Sequence, residues 1–502
     1  MSSFLVALAP LLVVGLGGLL LMLGEAFAHR ERGGSGPSAD LAIGSFVTLA
    51  AGAVVAFSLW LVGPENLGGA AGVAPFLIVD RFTLFFDIVL CVGGALAALL
   101  AGGYLPEHKL DRGEFYPLLI FSTLGAMVLA SAGDLLSLFI GLETMSLGVY
   151  ALVGFRRGSA RSAEGAVKYF LLGSFAAALL LYGGAMLYGA TGHTDLAGIG
   201  AALRGGTLTG ADYGLAIVAM VLVLAGLAFK VSAVPFHMWT PDAYEGAPTP
   251  ATSFMAVAVK SAAFATLLRV LVSAFGDPAS MSWGTGWPPV VALLAVMTMT
   301  VANLVAGRQE SVKRMLAYSS IAHAGYLLVA VVALMTQPGI AQGSILFYLL
   351  AYTVSTAGAF GALILCGSRG KEAVSYEDLA GIGHRHPVAA AAFALFLLSL
   401  TGVPPTAGFF AKLYVVRAAI GGGFLPLAIL LLLNSVVAAY YYLRVLVYMY
   451  MREPAPGAPV AVPMRSGYVT AALLICAAGV MLLGLWPTRS LELAIDAALA
   501  AR

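Results

Sequence analysis

Long apolar runs separated by short, turn-rich polar breaks dominate the chain. Fourteen runs can be marked, and a helix needs roughly 20 apolar residues to cross a bilayer. Backbone polar groups in hydrocarbon must bond within their own segment, which favours helices over the alternating strands of a barrel. We therefore predict an all-α polytopic membrane protein with spans at 4–28, 40–62, 77–103, 115–132, 134–155, 161–190, 211–240, 247–275, 286–306, 310–337, 341–366, 386–419, 423–451 and 467–487.

Composition supports this class and argues against several others. The 502 residues are 61% hydrophobic and 10% charged, whereas a soluble domain carries about 25% charged residues. A net charge of +2 gives no indication of nucleic-acid binding. The chain has no phosphate-binding glycine motif, and its cysteines, Cys91, Cys366 and Cys476, form no metal-ligand or disulfide pattern. We expect no cofactor or metal in this chain.

Basic residues predict the orientation. Only Arg81 and Arg204 lie in even-numbered loops. The positive-inside rule therefore places the odd-numbered loops in the cytoplasm and both termini on the periplasmic side of the cell inner membrane. The odd-numbered loops hold 15 basic residues, namely Arg30, Arg32, Lys109, Arg112, Arg156, Arg157, Arg161, Arg308, Lys313, Arg314, Arg369, Lys371, Arg385, Arg452 and Arg465.

An internal repeat relates spans 4–8 to spans 9–13. Residues 267–271 match 442–446 at an offset of 175, and other short matches keep a similar offset and order. Because five helices are an odd number, the second copy is predicted to be inverted, as in many ion-coupled transporters. The alignment sets Glu143 opposite Ser320 and Lys260 opposite Ser435. We predict segments at 1–110, 111–275 (repeat 1), 276–452 (repeat 2) and 453–502.

Charged residues inside the spans are the candidates for function. A charge at mid-bilayer costs at least ~2.5–3.5 kcal/mol, so a buried ionisable group indicates function by default. The arginines among them lie nearer span ends, where we expect interfacial anchors. Lys230, Lys260 and Lys412 lie deep, with too few acids nearby to pair them all. Apart from the basic residues at span ends that are counted with the loops, seven lie within the spans, namely Lys168, Lys230, Lys260, Arg269, Lys412, Arg417 and Arg444.

These residues predict a proton path. A buried amine holds its proton beside a carboxylate and releases it when isolated, and Glu143 is the clearly mid-span acid of the repeats. Proline breaks, at Pro235 in span 7 and at Pro404 and Pro405 in span 12, free backbone groups and admit water beside a lysine. Two histidines, whose reference pKa suits proton exchange, join the path. The predicted proton-transfer residues are Glu143, Lys168, Lys230, His237, Lys260, His323 and Lys412.

Several motifs resemble one family. The segment 229–250, including Tyr-Glu-Gly-Ala-Pro-Thr-Pro at 244–250, is similar to the signature of the complex I and Mrp antiporter superfamily. Segments 168–192, 313–326 and 402–412 resemble subunit N of respiratory complex I, an antiporter-like membrane subunit. The resemblance spans about 75–450. It matches the family's lysines and glutamate to Glu143, Lys168, Lys230, Lys260 and Lys412.

The resemblance implies proton translocation driven by quinone reduction elsewhere in NADH:quinone oxidoreductase. NADH, FMN, iron–sulfur clusters and quinone would then bind partner subunits, and the neighbours would be subunit M, the small K and J subunits, and lipids. Three alternatives stay open: a subunit of an Mrp-type cation/proton antiporter or membrane hydrogenase, a stand-alone secondary transporter, and a passive structural spacer. The charged residues are expected to lie along a line through the membrane rather than around one pocket, which argues against a solute carrier.

Overall fold

A computed structural model describes residues 2–31, 39–67, 73–206, 208, 210–367, 370–454 and 461–499. Arg32 and Arg369, two of the predicted cytoplasmic basic residues, lie outside these ranges. The α-helices are α1 Ser2–Ala7, α2 Ala9–Glu31, α3 Ala39–Val62, α4 Arg81–Glu107, α5 Phe115–Ser131, α6 Leu135–Val153, α7 Ala160–Thr191, α8 Leu196–Arg204, α9 Ala211–Lys230, α10 Trp239–Gly246, α11 Thr249–Phe254, α12 Lys260–Arg269, α13 Pro288–Ala306, α14 Val312–Val332, α15 Pro338–Cys366, α16 Ile382–Arg385, α17 Pro387–Thr401, α18 Ala407–Gly421, α19 Leu425–Met451, α20 Gly467–Leu485 and α21 Pro487–Leu499.

The all-helical polytopic class is confirmed. Within the described ranges, 12 helical segments are long and apolar enough to cross a membrane, and they coincide with every predicted span except the fourth and the twelfth. The fourth is the shorter apolar helix α5, and the twelfth is divided between α17 and α18. β-Pairing among these residues is limited to isolated bridges. The count of fourteen spans and the inverted relation of the repeats stay predictions.

The centre of the bundle is formed by four deeply buried segments. These are α4, the span Thr249–Ala274, α14 and α15, whereas α2 and α3 expose most of their surface. A helix that is apolar all round and buried all round belongs in the interior of a helical assembly. Lys260 and His323 therefore lie on the innermost helices, far from any exposed face.

Two spans are broken where proline was predicted to interrupt them. The seventh span ends as α9 at Lys230, and its chain resumes as α10 at Trp239. The twelfth breaks between Thr401 and Ala407. Gly402 adopts a φ of +92°, and a Cβ there would lie 3.2 Å from Cδ of Lys412, so glycine meets both a conformational and a spatial need. Both breaks lie beside a buried lysine, as predicted.

The eighth span contains a feature that the sequence did not predict. Two π-helical turns, Met255–Val259 and Val270–Ala274, flank α12, which begins at Lys260. Such turns are rare and occur frequently at functional sites, because their wider turn interrupts the regular hydrogen-bond ladder. Lys260 therefore lies directly after a local irregularity of its own helix.

One predicted interfacial anchor is instead a buried ion pair, so that prediction is wrong for Arg269. Its side chain is only 2% exposed, and its guanidinium donates to both carboxylate oxygens of Asp80 at 3.0 and 3.1 Å. The same carboxylate caps α4 by accepting a hydrogen bond from the backbone of Thr83. Asp80 supplies the counter-charge that allows Arg269 to remain inside rather than reach the headgroups.

A half-buried carboxylate gathers several segments at the end where the predicted cytoplasmic loops meet. Glu372, in the loop after α15, accepts hydrogen bonds from the hydroxyls of Tyr104 and Thr249 at 2.5 Å and from Lys313 at 3.4 Å. Arg156 lies 4.0 Å away. Burial alone would raise the pKa of Glu372, but Lys313 and the two hydroxyls outweigh it and lower that pKa to about 2. The Glu372 cluster therefore joins α4, α11, α14 and two loops.

Candidate functional site

Of the four lysines that are buried within the described residues, Lys313 pairs with Glu372, and each of the other three donates to a serine hydroxyl. Lys230 Nζ lies 2.8 Å from Oγ of Ser146. Lys412 Nζ lies 2.8 Å from Oγ of Ser435 and 2.8 Å from the carbonyl of Thr401. The third amine, on Lys260, donates to both the hydroxyl and the carbonyl oxygen of Ser320. Lys230, Lys260 and Lys412 are 2%, 2% and 7% exposed.

Within the described structure, these three amines lack a carboxylate at ion-pair distance. Among the described residues, neither Lys230, Lys260 nor Lys412 has an aspartate or glutamate oxygen within 4.0 Å, although other basic residues form such pairs. None of these three lysines therefore forms the predicted pair of a buried lysine with Glu143 in this arrangement. Buried charges are normally paired, since desolvation penalises them heavily. Amines held by hydroxyl and carbonyl oxygens without a carboxylate can exist with or without the extra proton.

Aromatic faces surround the amines. Lys230 Nζ lies 5.6 Å from the ring centroids of Tyr150 and Tyr169. Lys260 Nζ lies 5.6 Å from the Tyr352 ring, and Lys412 Nζ lies 5.4 Å from the Tyr326 ring. An aromatic face attracts a cation within about 6 Å through its quadrupole. The rings therefore stabilise a protonated amine without fixing it by a permanent opposite charge.

His323 lies between the second and third buried lysines. Its Nδ1 is 2.5 Å from the hydroxyl of Tyr348, and its Nε2 is 3.1 Å from the hydroxyl of Tyr442. Tyr442 in turn contacts the hydroxyl of Ser319, which precedes the serine that binds Lys260. One turn beyond His323 is Tyr326, whose ring faces Lys412. Hydrogen-bonding groups thus extend from Lys260 past His323 toward Lys412.

Glu143 occupies a different environment from the lysines. Its side chain is half-buried on α6, and its Oε1 is buried without a hydrogen-bond partner among the described residues. On the same helical face, three and four residues away, Ile140 and Leu147 are 61% and 57% exposed. The carboxyl group therefore lies at the border between the bundle and an exposed apolar stripe of α6.

Lys168 and His237 lie outside the buried set. Lys168 forms ion pairs with Glu164 and Asp242, and its side chain is 42% exposed. Burial raises the pKa of Asp242, but Lys168 and Arg314 outweigh this and lower it overall, so the group is a carboxylate at neutral pH. His237 is half-buried in the break after α9, with an unpartnered Nδ1 within the described structure.

An open polar cavity of about 520 Å³ adjoins the Lys168 ion pairs. It opens between the start of α7, α10 and the loop that precedes α14. Charged side chains of both signs line its walls, which is typical of a hydrated entrance rather than of an apolar ligand pocket. Its lining includes Arg161, Glu164, Asp242, Glu245, Arg308 and Arg314.

Sequence reasoning missed the serine partners, although a signal for two of them was present. The repeat alignment set Ser320 opposite Glu143 and Ser435 opposite Lys260, and these two serines bind Lys260 and Lys412. In the predicted alignment, hydroxyls of the second repeat thus stand opposite charges of the first. Polar residues that the predicted alignment sets opposite charged ones were therefore informative.

No metal centre accompanies these residues. Across the described ranges, histidine, cysteine, aspartate and glutamate side chains form no cluster of three or more that could hold an ion. The cysteines are buried. Cys91 contacts the sulfur of Met127 at 3.7 Å. The amine, imidazole and hydroxyl groups of the site can exchange protons with one another.

Comparison with known proteins agrees with this arrangement. Residues 132–438 match the family described as NADH:quinone oxidoreductase/Mrp antiporter, transmembrane. NADH-quinone oxidoreductase subunit N 1 of Sorangium cellulosum is 71% identical over 502 residues, covering 99% of each chain. Subunit N of Trichlorobacter lovleyi is 44% identical over 84% of each chain.

A solved structure agrees as well. A chain of respiratory complex I from Thermus thermophilus with bound aureothin matches with a TM-score of 0.76 and 33% identity, covering 96% of this chain and 98% of that one. The family predicted from the motifs is confirmed by near-complete coverage at high identity. The chain therefore belongs to the subunit N family of NADH-quinone oxidoreductases.

Proposed function

We propose that this chain is a proton-translocating membrane subunit of an NADH-quinone oxidoreductase, and that its buried lysines carry the protons. The observation that supports this most is the pairing of Lys230, Lys260 and Lys412 with serine hydroxyls and no carboxylate. Stability alone would not retain three such amines in the centre of an apolar bundle. Lysine also suits the task better than arginine, which stays charged.

The hydroxyl partners allow the amines to exchange protons. A serine or tyrosine hydroxyl both donates and accepts, so it bonds equally to an ammonium group and to a neutral amine. The breaks after Lys230 and before Lys412 interrupt the helices, and such breaks are tolerated where they line a wet cavity. At the second break the carbonyl of Thr401 accepts a hydrogen bond from Lys412. We propose transfer between Lys260 and Lys412 through His323, whose tyrosine partners extend in both directions.

The residues proposed to take up protons and to control their release lie in the first repeat. The polar cavity beside Lys168 and Asp242 lies where the predicted cytoplasmic loops converge, so we propose entry there. Glu143 and Lys230 lie on neighbouring elements without forming a pair in this arrangement. A movement that brings the Glu143 carboxylate toward the amine would favour the protonated lysine, and separation would favour release. His237, in the break, is proposed as a further exchange group.

The proposed setting follows from family membership. Other membrane subunits of the oxidoreductase are the expected partners, specifically subunit M and the small K and J subunits, together with lipids. NADH, FMN, iron–sulfur clusters and quinone would bind those other subunits, and both termini would lie on the periplasmic side of the inner membrane. The exposed stripe around Glu143 supports a covering neighbour, because a carboxyl group facing hydrocarbon alone is expensive.

The test compares pumping with assembly. In the complex reconstituted into vesicles, Lys230→Ala and, separately, Glu143→Ala should lower NADH-driven proton uptake by about tenfold or more, since a positioned proton-transfer group contributes about 10²–10⁴-fold. Native gels should show the complex intact. Arg444→Ala is the control, because its guanidinium stacks on Tyr376 at 4.2 Å near the helix end. Loss of assembly without a specific pumping defect would make the residues structural instead.

A further inference from the structure

The short helix α10, which follows the break of the seventh span, packs closely on α7. Residues three and four positions apart share one face of a helix, and one such face of each helix forms the contact. A Cβ at Gly165 would lie only 2.7 Å from the carbonyl oxygen of Asp242, so the helices approach too closely for a larger residue there. The contact residues are Gly165, Lys168 and Tyr169 on α7 and Trp239 and Asp242 on α10.

Ion pairs close the polar end of this contact. One carboxylate oxygen of Asp242 accepts a hydrogen bond from Lys168 at 2.7 Å, and the other accepts from Arg314 of α14 at 2.8 Å. Hydrogen bonds between charged groups are the stronger ones and fix geometry well. Because each oxygen of Asp242 bonds to a different helix, this carboxylate ties α10 to both α7 and α14.

An aromatic stack forms the other end of the contact. The Trp239 ring lies on the ring of Tyr169, with centroids 4.0 Å apart and planes 6° from parallel. The indole Nε1 of Trp239 donates to the carbonyl of Phe229 at 3.2 Å. The Tyr169 ring also lies 5.6 Å from Nζ of Lys230. The stack is therefore part of the wall around this buried amine.

The ion pair and the stack connect the same two helices. Lys168 immediately precedes Tyr169 on α7, and Asp242 lies one turn after Trp239 on α10. A shift of α10 that breaks the ion pair would therefore also move the Trp239 ring away from Tyr169. Loss of this support would weaken the attraction between the Tyr169 face and the protonated amine of Lys230.

Lys168 differs from the buried lysines in its surroundings. Its side chain is 42% exposed, and its amine pairs with two carboxylates, those of Glu164 and Asp242. Lys230 is only 2% exposed and has a hydroxyl partner instead. The positive charge of Lys168 is thus fully compensated, which suits a permanent ion pair.

We propose that Asp242 and Lys168 are positioning residues for Lys230. Their ion pair holds α10 on α7, and the stack of Trp239 on Tyr169 then keeps an aromatic face beside the Lys230 amine. In this role Lys168 acts through its charge and passes no proton. The inference rests on the proposed function, and it assigns Lys168 positioning in place of the proton transfer predicted from the sequence.

The first test separates charge from proton release. Arginine keeps its proton, and the half-exposed position of Lys168 leaves room for the larger guanidinium. Because a misplacement of about 1 Å can cost about 10²-fold in rate, Lys168→Met should slow NADH-driven proton uptake by the whole complex in vesicles about fivefold or more, whereas Lys168→Arg should stay within about twofold of wild type. Asp242→Asn should be slow as well. Lys371→Met, at an exposed position of a predicted cytoplasmic loop, is the control.

The second test examines whether the ion pair acts through the stack. Trp239→Leu removes the aromatic ring but keeps an apolar side chain. If Lys168 acts through Trp239, the double variant with Lys168→Met should be no slower than Trp239→Leu alone, since the effects of coupled residues are not additive. Fold losses that multiply in the double variant would show independent action and would overturn the inference.

The outcomes separate this inference from the function on which it rests. Slow uptake in Lys168→Met and near-normal uptake in Lys168→Arg, with an intact complex on native gels, support positioning. Equally slow uptake in both variants would make Lys168 a proton-transfer group, and normal uptake in Lys168→Met would make the ion pair dispensable; either result overturns the inference, even if Lys230→Ala abolishes uptake and the proposed function stands. If Lys230→Ala leaves uptake unchanged, the proposed function itself fails.

Discussion

The Glu372 cluster permits a quantitative prediction about stability. Replacing Glu372 by glutamine keeps the shape of the side chain and removes its charge, which faces Lys313 and Arg156. The pKa falls from an ordinary value of 4.5 to about 2 in the folded chain. Since each tenfold change in proton affinity is worth ~1.36 kcal/mol, the charged form contributes about 3 kcal/mol. We expect Glu372→Gln to lower the free energy of unfolding by that order at neutral pH.

The direction of this pKa shift determines how the stabilisation by Glu372 depends on pH. A carboxyl group whose folded pKa is depressed stabilises the fold fully above its unfolded pKa, here 4.5. That stabilisation is lost as the pH falls through the folded pKa of about 2. The difference between wild type and Glu372→Gln should therefore be constant from pH 8 to about pH 5 and shrink below pH 4.5.

The assay must report on this chain within its complex. Pulse proteolysis of the detergent-solubilised complex in increasing urea, with immunodetection of this chain, gives its unfolding midpoint at each pH. Glu453→Gln is the matched control, since Glu453 is exposed and such changes stay within about 0.5 kcal/mol. A midpoint unchanged by Glu372→Gln at pH 7, or a deficit that persists unchanged at low pH, would refute the reasoning.

Two further predictions concern buried partners. Ser146→Ala removes the hydroxyl that accepts a hydrogen bond from Lys230. Because a hydrogen bond to a charged group is worth ~1.5–3 kcal/mol, we expect proton uptake about tenfold slower than in wild type, a milder defect than that of Lys230→Ala. Uptake equal to that of wild type would exclude a role for the hydroxyl. Arg269→Ala leaves the carboxylate of Asp80 without its ion-pair partner, and the loss of one partner of a buried ion pair costs about 3–5 kcal/mol of stability. Native gels of this variant should therefore show less assembled complex. Arg417→Ala, at an exposed position, is the control and should assemble normally.

Much of the fold could be predicted from the chain because hydrocarbon imposes one simple constraint. Apolar run length and polar breaks predicted where helices lie, and proline predicted where the seventh and twelfth spans stop being helical. The depth of Lys230, Lys260 and Lys412 could also be read along the chain, since a residue in the middle of a long apolar run has little opportunity to reach water.

The parts that could not be predicted depend on helix rotation and on contacts between distant segments. Lys168 lies within a predicted span, yet its side chain turns to Glu164 and Asp242 at the polar end. Arg269 is buried because Asp80, 189 residues earlier in the chain, supplies its counter-charge. Position along a helix gives depth, but it does not give the face that a side chain occupies or the partner it meets.

The π-helical turn before Lys260 determines the direction around the helix axis in which the Lys260 side chain points. Each residue of an α-helix advances the side chain by about 100°, and a π turn absorbs one residue more than an α turn. Shortening Met255–Val259 by a single residue would straighten the helix while keeping α12 on the same azimuth, whereas one added residue would swing the amine away from Ser320. Deletion of one residue in this segment should therefore be tolerated much better than insertion of one residue.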